Sequence, residues 1–265
     1  EKQECLIIDN FKNNINEKKY INYYNLYYYY NFMYKNKKIA VVIPCYKVSE
    51  FINKVISKLP KFIDKIYVID DACPDKSVKK IYSKSKKIKK IYRKKNGGVG
   101  AAVKDGYKHS LKDKNDITVR IDGDDQMDPK LIFKFIDPII NKKADFTKGN
   151  RFTNFDFLKE MPFLRIFGNI LFFLIGMILI NNYKVFDFQN GYTSIDNKSL
   201  KRVLKKKLDD DFFFENSLIY NLSKLKIKIL DINMKANYGK EKSNLNIFST
   251  GFAILYKYLL LFLKN

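Results

Sequence analysis

Histidine is almost missing. His109 is the only one in 265 residues. That all but excludes a multi-histidine metal site and leaves one partner for any serine– or cysteine–histidine apparatus. Cysteine is nearly as scarce. Cys5, Cys45 and Cys73 are odd in number, far apart and never spaced C-x-x-C. This speaks against a disulfide framework or a zinc ribbon and suits a reducing compartment. Arginine supplies only five of the 51 cations. There is no G-x-x-x-x-G-K-[ST], which argues against a P-loop ATPase. No G-x-G-x-x-G follows the first strand, which argues against a nicotinamide or flavin Rossmann enzyme. The uncharged run Ile170–Ile180 has eleven residues, whereas a membrane span needs about 20. No internal repeat is found.

What remains is a basic chain of ordinary apolar content. Lysine plus arginine is 51 and aspartate plus glutamate is 28, so the formal charge is +23, and 46% of residues are apolar. Such a chain can bury a core without staples. The lysine, asparagine, isoleucine and tyrosine bias matches an AT-rich genome. The charge also suits an anionic membrane or phosphates. Nucleic acid is not expected, because the acids cluster where a ligand should sit and no RNA-recognition signature occurs.

Three segments are expected: a Tyr/Asn/Lys-rich extension over 1–38, a catalytic domain over 39–245 and an apolar helix over 246–265. In the second, apolar runs at 39–44, 65–70, 88–93, 116–122 and 144–150 read as strands. Helical patterns at 48–59, 76–86, 99–111 and 129–140 alternate with them. Such alternation predicts a largely parallel sheet with right-handed crossovers. Further on, 163–180 reads as an apolar core or interfacial helix, 212–225 as a helix and 226–232 as a strand.

In such a sheet ligands bind beyond the carboxyl ends of the strands. Those ends carry Pro44-Cys45-Tyr46, Asp70-Asp71, Asn96-Gly97-Gly98-Val99-Gly100, Asp122-Gly123-Asp124-Asp125-Gln126 and Gly149-Asn150-Arg151. Asp122 and Asp124 are spaced to reach one divalent cation, with Gln126 as a neutral oxygen ligand. Hard oxygens suit Mg2+ or Mn2+, which also take phosphate oxygens. Asp70 and Asp71 could accept from a nucleobase or ribose, and they could also form a turn that opens the helix at 76 with Asp75 as its N-cap. The glycines allow close backbone approach to a ligand. His109, mid-helix, reads as packed or solvated.

The motifs PCY (44–46), DDACPD (70–75), NGGVGAAVKDGY (96–107), DGDDQMDP (122–129) and GNRF (149–152) resemble family-two glycosyltransferases. Within them the chain is most similar to the polyprenyl- or dolichol-phosphate mannosyl- and glucosyltransferases. DFQNGYTSI (187–195), DDDFFFENSLIYNL (209–222) and YGKEKSNL (238–245) agree. The resemblance implies an α/β GT-A fold with C-terminal interface helices and a GDP- or UDP-hexose donor. It further implies Mg2+ or Mn2+ on Asp122, Asp124 and Gln126, with Pro44, Tyr46, Asp70, Asp71, Gly98 and Asp122 on the nucleotide sugar. Val48 stands where the subgroup often has glutamate, which leaves the donor base open. The Q-x-x-R-W motif of processive synthases is missing, which implies single-sugar transfer.

Attack opposite the leaving diphosphate would invert the anomeric carbon. A lipid-phosphate acceptor is already ionised, so cations would position it: Arg151, Arg165 and Lys242, with Ser243. A hydroxyl acceptor would need a base, for which Asp210, Asp211 or Glu215 are available. Asp124, Asp211 and Arg151 are the catalytic candidates. The expected location is the cytoplasmic face of a membrane, held peripherally through 163–180 and aided by 247–263.

Overall fold

The computed structural model describes Tyr34 and residues 36–153, 163–180, 185–235 and 247–263. The tyrosine-rich stretch before Tyr34 lies outside them. Strand β1 (Ile39–Cys45) is buried along its whole length, as a β-branched apolar run between two helical layers should be. Burying each valine or isoleucine there contributes about 1.5–3 kcal/mol. Helix α1 (Ile52–Lys58) buries Ile52, Val55 and Ile56 and returns the chain to β2 (Lys65–Asp70), parallel to β1. Edge strand β3 (Ile88–Tyr92) follows, parallel to β2.

No helix forms over 76–86, where the lysine pattern predicts one. The side chain of Asp75 accepts from Ser77 N at 2.9 Å and from Cys73 Sγ at 2.7 Å. Lys76 takes a positive φ of 57°. Only Val78 and Ile81 anchor the segment in the core. Local side-chain hydrogen bonds therefore win over a weak helical propensity.

Helix α2 (Val99–Lys112) then crosses the sheet, and β4 (Ile117–Arg120) pairs with the free side of β1. Its contact with β1 is close: a Cβ at Gly106 would lie 2.3 Å from Val42 Cγ1. A 3-10 turn (Pro129–Leu131), helix α3 (Ile132–Ile140) and strand β5 (Phe146–Asn150) come next. Helix α4 (Phe163–Ile180) spans the predicted range. Strand β6 (Thr193–Asp196), helix α5 (Asn197–Val203), helix α6 (Phe214–Lys224), strand β7 (Ile229–Asn233) and helix α7 (Ile247–Phe262) complete the chain.

The sheet order is β3-β2-β1-β4-β6-β5-β7. Four strand pairs are parallel, and β6 runs antiparallel to both β4 and β5. The chain moves outward from β1 to β3, then returns to lay β4 on the other flank of β1. That reversal opens a crevice between the carboxyl ends of β1 and β4, where open α/β sheets bind ligands. The register puts Cys45 opposite Asp70, Asp70 opposite Tyr92, and Arg120 opposite Thr193 at the entry of β6. One sheet edge thus collects the candidate residues.

Helices α4 and α7 pack together over this edge. Phe172 and Ile175 of α4 meet Phe213, Ile254 and Tyr258, while Phe173 meets Val185, Phe188 and Ile219. Their other faces leave Ile170, Leu171, Leu174, Tyr256, Leu259 and Leu260 exposed. Among the described residues no helix is long and apolar enough to cross a membrane. Past Arg165 the uncharged part of α4, residues 166–180, is about 22 Å long at 1.5 Å per residue, short of the roughly 30 Å hydrocarbon core.

Candidate active site

The loop after β1 is fastened to the loop after β2. Lys47 N donates to Cys73 Sγ (2.8 Å), Val48 N to Ser77 Oγ (2.9 Å) and Ser49 N to Asp75 (3.2 Å). Burial pushes the Asp75 carboxyl up, but the donors Cys73, Ser77 and Ser49 outweigh it and hold the group well below its usual range. Tyr46 stays exposed, with Lys47 Nζ 5.4 Å from its ring centre. Pro44 ends inside β1, opposite Ile69.

The two acids after β2 have different surroundings. Asp70 accepts from Cys73 N through Oδ1 at 2.7 Å. Asp71 is turned toward the glycine loop: its oxygens accept from Gly97 N (3.0 Å) and Gly98 N (2.8 Å) and pair with Arg93 Nε (2.9 Å). Asp71 thus braces the glycine loop, whereas Asp70 stays within its own turn. The glycines answer to a protein neighbour as well. A Cβ at Gly98 (φ 91°) would sit 2.6 Å from Asp210 O, and one at Gly100 2.6 Å from Asp209 O. Ala101 N donates to Asp210 O at 3.0 Å. The loop is glycine-rich so that the Asp209–Asp211 backbone can lie directly on it.

At the crevice floor Arg120 is buried between two acids. It forms an ion pair with Glu215 of α6 and reaches Asp122 Oδ1 at 3.1 Å. Glu215, weighed above as a base, is therefore engaged with Arg120. Desolvation alone would lower the Arg120 pKa, but Glu215 and Asp122 raise it, so the guanidinium stays charged. Asp122 is aimed outward with its side chain 29% exposed. Its Oδ2 faces Gly191, where a Cβ would come within 2.7 Å. Asp124 Oδ1 accepts from Gln126 N at 3.1 Å, which folds Gln126 back beside the acids. Asp125, at φ 63°, is tied down by Lys54 and Lys58, each at 2.7 Å.

This donor set fits a hard divalent cation. Among the described residues no three His, Cys, Asp or Glu groups form a closed cage. Asp122 and Asp124 supply two carboxylates, and Gly191 leaves space beside one of them. Mg2+ is characteristically held this way, by one or two carboxylates plus substrate phosphates and water.

Arg151 lies at the end of β5, buried and forked onto Asp187: Nε to Oδ2 at 2.6 Å, Nη2 to Oδ1 at 2.8 Å. Burial raises the Asp187 pKa, but Arg151 outweighs it and keeps the carboxyl below its usual range. Lys148 is buried next to this pair and donates to Asn190 O, with burial lowering its pKa to about 8. Arg151 therefore organises the 187–190 loop behind the crevice. Arg165 lies on the first turn of α4, and its side chain is outside the described residues, as are Lys242 and Ser243.

The acids Asp209–Asp211 bear lysine partners throughout. Lys104 reaches Asp210 (2.6 Å). Lys257 of α7 reaches Asp209 (2.6 Å) and Asp211 (2.9 and 2.7 Å). Burial pushes Asp211 up, but the bond from Lys257 wins and holds its carboxyl below the usual range. Sequence reasoning missed Arg120, Asp187, Lys148 and Lys257 in these roles. Arg120 was visible as a lone charge inside an apolar strand, whereas the others had no local signal. His109 half-buries beside Tyr67, with ring centres 6.1 Å apart, remote from the acids' chemistry.

Solved structures share this architecture. Glucosyl-3-phosphoglycerate synthase from Mycobacterium tuberculosis, in complex with Mn2+, UDP and glucosyl-3-phosphoglycerate, superposes with a TM-score of 0.64. It is 14% identical, over 87% of this chain and 82% of that one. The same enzyme with Mg2+ and UDP gives 0.65 at 13% identity, over 92% and 84%. The fold is therefore GT-A. The model of the family described as glycosyl transferase family 2 matches residues 40–204, and the chain belongs to that family. It is 28% identical to the UDP-N-acetylglucosamine–dolichyl-phosphate N-acetylglucosaminyltransferase of Methanococcus voltae, over 85% of this chain and 96% of that one. It is 31% identical to the dolichol-phosphate mannosyltransferase of Pyrococcus furiosus, over 48% of this chain and 37% of that protein.

Proposed function

We propose that this glycosyltransferase moves a single sugar from a GDP- or UDP-hexose to a polyprenyl phosphate at a membrane surface, with inversion. The observation that carries the reading is the neutralised acidic run. Asp209, Asp210 and Asp211 are each paired to lysine, and Glu215 to Arg120. A hydroxyl acceptor needs a carboxylate ready to take its proton. A phosphate acceptor arrives ionised and needs none. Relatives named for dolichyl phosphate agree with this.

Asp122 and Asp124, with Gln126 beside them, would hold Mg2+ or Mn2+, and Asp70 would face the nucleoside. A divalent ion held there would supply Lewis-acid relief of the charge that builds on the leaving diphosphate. Arg120 holds Asp122 in place at the crevice. The acceptor phosphate oxygen attacks the anomeric carbon from the face opposite the diphosphate. That new C–O bond forms as the bond to the diphosphate breaks, and the nucleoside diphosphate leaves. Arg165, Lys242 and Ser243 are the proposed acceptor contacts. Arg151 serves through the loop it holds. The exposed apolar faces of α4 and α7 would rest on lipid, peripherally.

The test is incubation with radiolabelled nucleotide sugars, Mn2+ and polyprenyl phosphate, followed by lipid extraction. Label in the lipid phase, lost in Asp122→Ala, is the expected result. Label only in water-soluble or polysaccharide products, together with an inactive Asp211→Asn, would replace the phosphate acceptor with a hydroxyl one.

A further inference from the structure

Three consecutive aspartates repel one another, yet Asp209–Asp211 form an ordered turn between α5 and α6. The turn is fastened from two sides. From α2, Lys104 holds Asp210 at 2.6 Å. From α7, Lys257 donates to Asp209 at 2.6 Å and to both oxygens of Asp211 at 2.9 and 2.7 Å. Lys257 shares one helix face with Ile254 and Tyr258, the i, i+3, i+4 spacing that docks a helix. Tyr258 is buried, meets the Phe213 ring edge-on at 5.0 Å and donates its hydroxyl to Asn216. Lys257 Nζ also lies 5.7 Å from the Phe213 ring centre.

The other side of the turn is the glycine loop. Asp209 O and Asp210 O occupy the space that Cβ atoms at Gly100 and Gly98 would fill, each at 2.6 Å. The amides of Gly97 and Gly98 are gripped in turn by Asp71. A continuous set of contacts therefore runs from α7 through the acidic turn and the glycine loop to Asp71.

We propose that Lys257 is a positioning residue for sugar transfer. By neutralising Asp209 and Asp211 it presses the acidic turn onto the glycine loop and so sets the nucleotide side of the crevice. The C-terminal helix is then part of the active-site construction. The inference rests on the nucleotide-sugar reading of the crevice but not on the acceptor.

The experiment uses the full chain as wild type, Lys257→Met, Lys257→Arg and Tyr258→Phe. UDP and GDP, each with Mn2+, are titrated by calorimetry, and donor KM and kcat are measured with the nucleotide sugar the wild type accepts. Lys257→Met is expected to weaken nucleotide binding and raise donor KM about tenfold, the loss of one charge-assisted contact. Its kcat should change less than KM. Lys257→Arg should recover most of the affinity, because a cation is restored. Tyr258→Phe, which loosens the same helix without touching charge, should lower Tm and leave KM unchanged. Equal nucleotide affinity in Lys257→Met and wild type overturns the proposal. So does a Tyr258→Phe effect on KM as large as that of Lys257→Met, since the role is then merely structural. A wild type that binds nucleotide but labels no lipid defeats the lipid-phosphate acceptor and leaves this inference standing on the binding arm.

Discussion

Single side chains decide the chemistry here by what they are paired with. Asp122 and Asp124 are the proposed metal ligands, so Asp122→Ala or Asp124→Ala should abolish transfer and Mn2+-dependent nucleotide binding. Tm should stay near that of the wild type, as calorimetry would show. Arg120 is the opposite case, buried between Glu215 and Asp122. Arg120→Met leaves Glu215 as an uncompensated buried charge, which should cost about 3–5 kcal/mol of stability in urea unfolding. Asp231 gives a pH test. Burial pushes its carboxyl up to about 6, despite bonds from Phe186 N and Asn150 Nδ2. The folded state then binds this proton more tightly than the unfolded chain, whose carboxyl titrates near 3.9. The penalty is fully present above about pH 6 and is relieved as pH falls toward 4. Asp231→Asn keeps the acceptor oxygen and should stabilise the protein by about 1–3 kcal/mol at pH 7. The gain should vanish by pH 4, read as the difference between the two unfolding curves. The acids of the D-G-D motif were legible in sequence because their spacing is local. The partners that neutralise Glu215, Asp187 and Asp211 were not, because each lies on a different element.

At the scale of elements, the apolar periodicities located β1, β2, α2, α4 and α7 well. They did so because each buries a full stripe or a whole run. The antiparallel strand β6 went unread. It is four residues long, and Thr193 and Ser194 are buried like its isoleucine. Its place between β4 and β5 comes from backbone pairing, which leaves no hydrophobic signature. The helix expected at 76–86 failed because local bonds to Asp75 shape its start and only Val78 and Ile81 give it an apolar anchor. Close helix–strand contact supplies a further prediction. Gly106→Val would drive branched carbons into Val42, whose Cγ1 already lies 2.3 Å from the position of a Cβ. Overpacking of this kind costs about 1–3 kcal/mol, measurable as a lower urea midpoint with an unchanged m-value.

For the whole molecule, the crevice, the two apolar helices and the excess of lysine lie on one chain with a formal charge of +23. The outer faces of α4 and α7 are the surface expected to meet lipid. Vesicles containing an anionic lipid should retain the wild type in flotation, and added salt should weaken retention, because lysine–lipid attraction is screened. The triple change Leu174→Glu, Leu259→Glu, Leu260→Glu should abolish flotation and leave nucleotide affinity intact. Full retention of the triple variant would remove these faces from the interface.

The sequence by itself determined the alternating α/β plan, the sheet edge at which the candidate residues gather and the D-G-D pair. All of these rest on local period, strand-end position or short spacing. Only the tertiary structure decided which charges remain for a ligand. Asp71 turned to the glycine loop, Arg151 to Asp187, Glu215 to Arg120 and Asp211 to Lys257. Those choices are made by groups tens of residues apart, three of whose acids, Asp71, Asp187 and Glu215, are buried. Each buried charge must find a partner, and no short-range pattern records which one it takes.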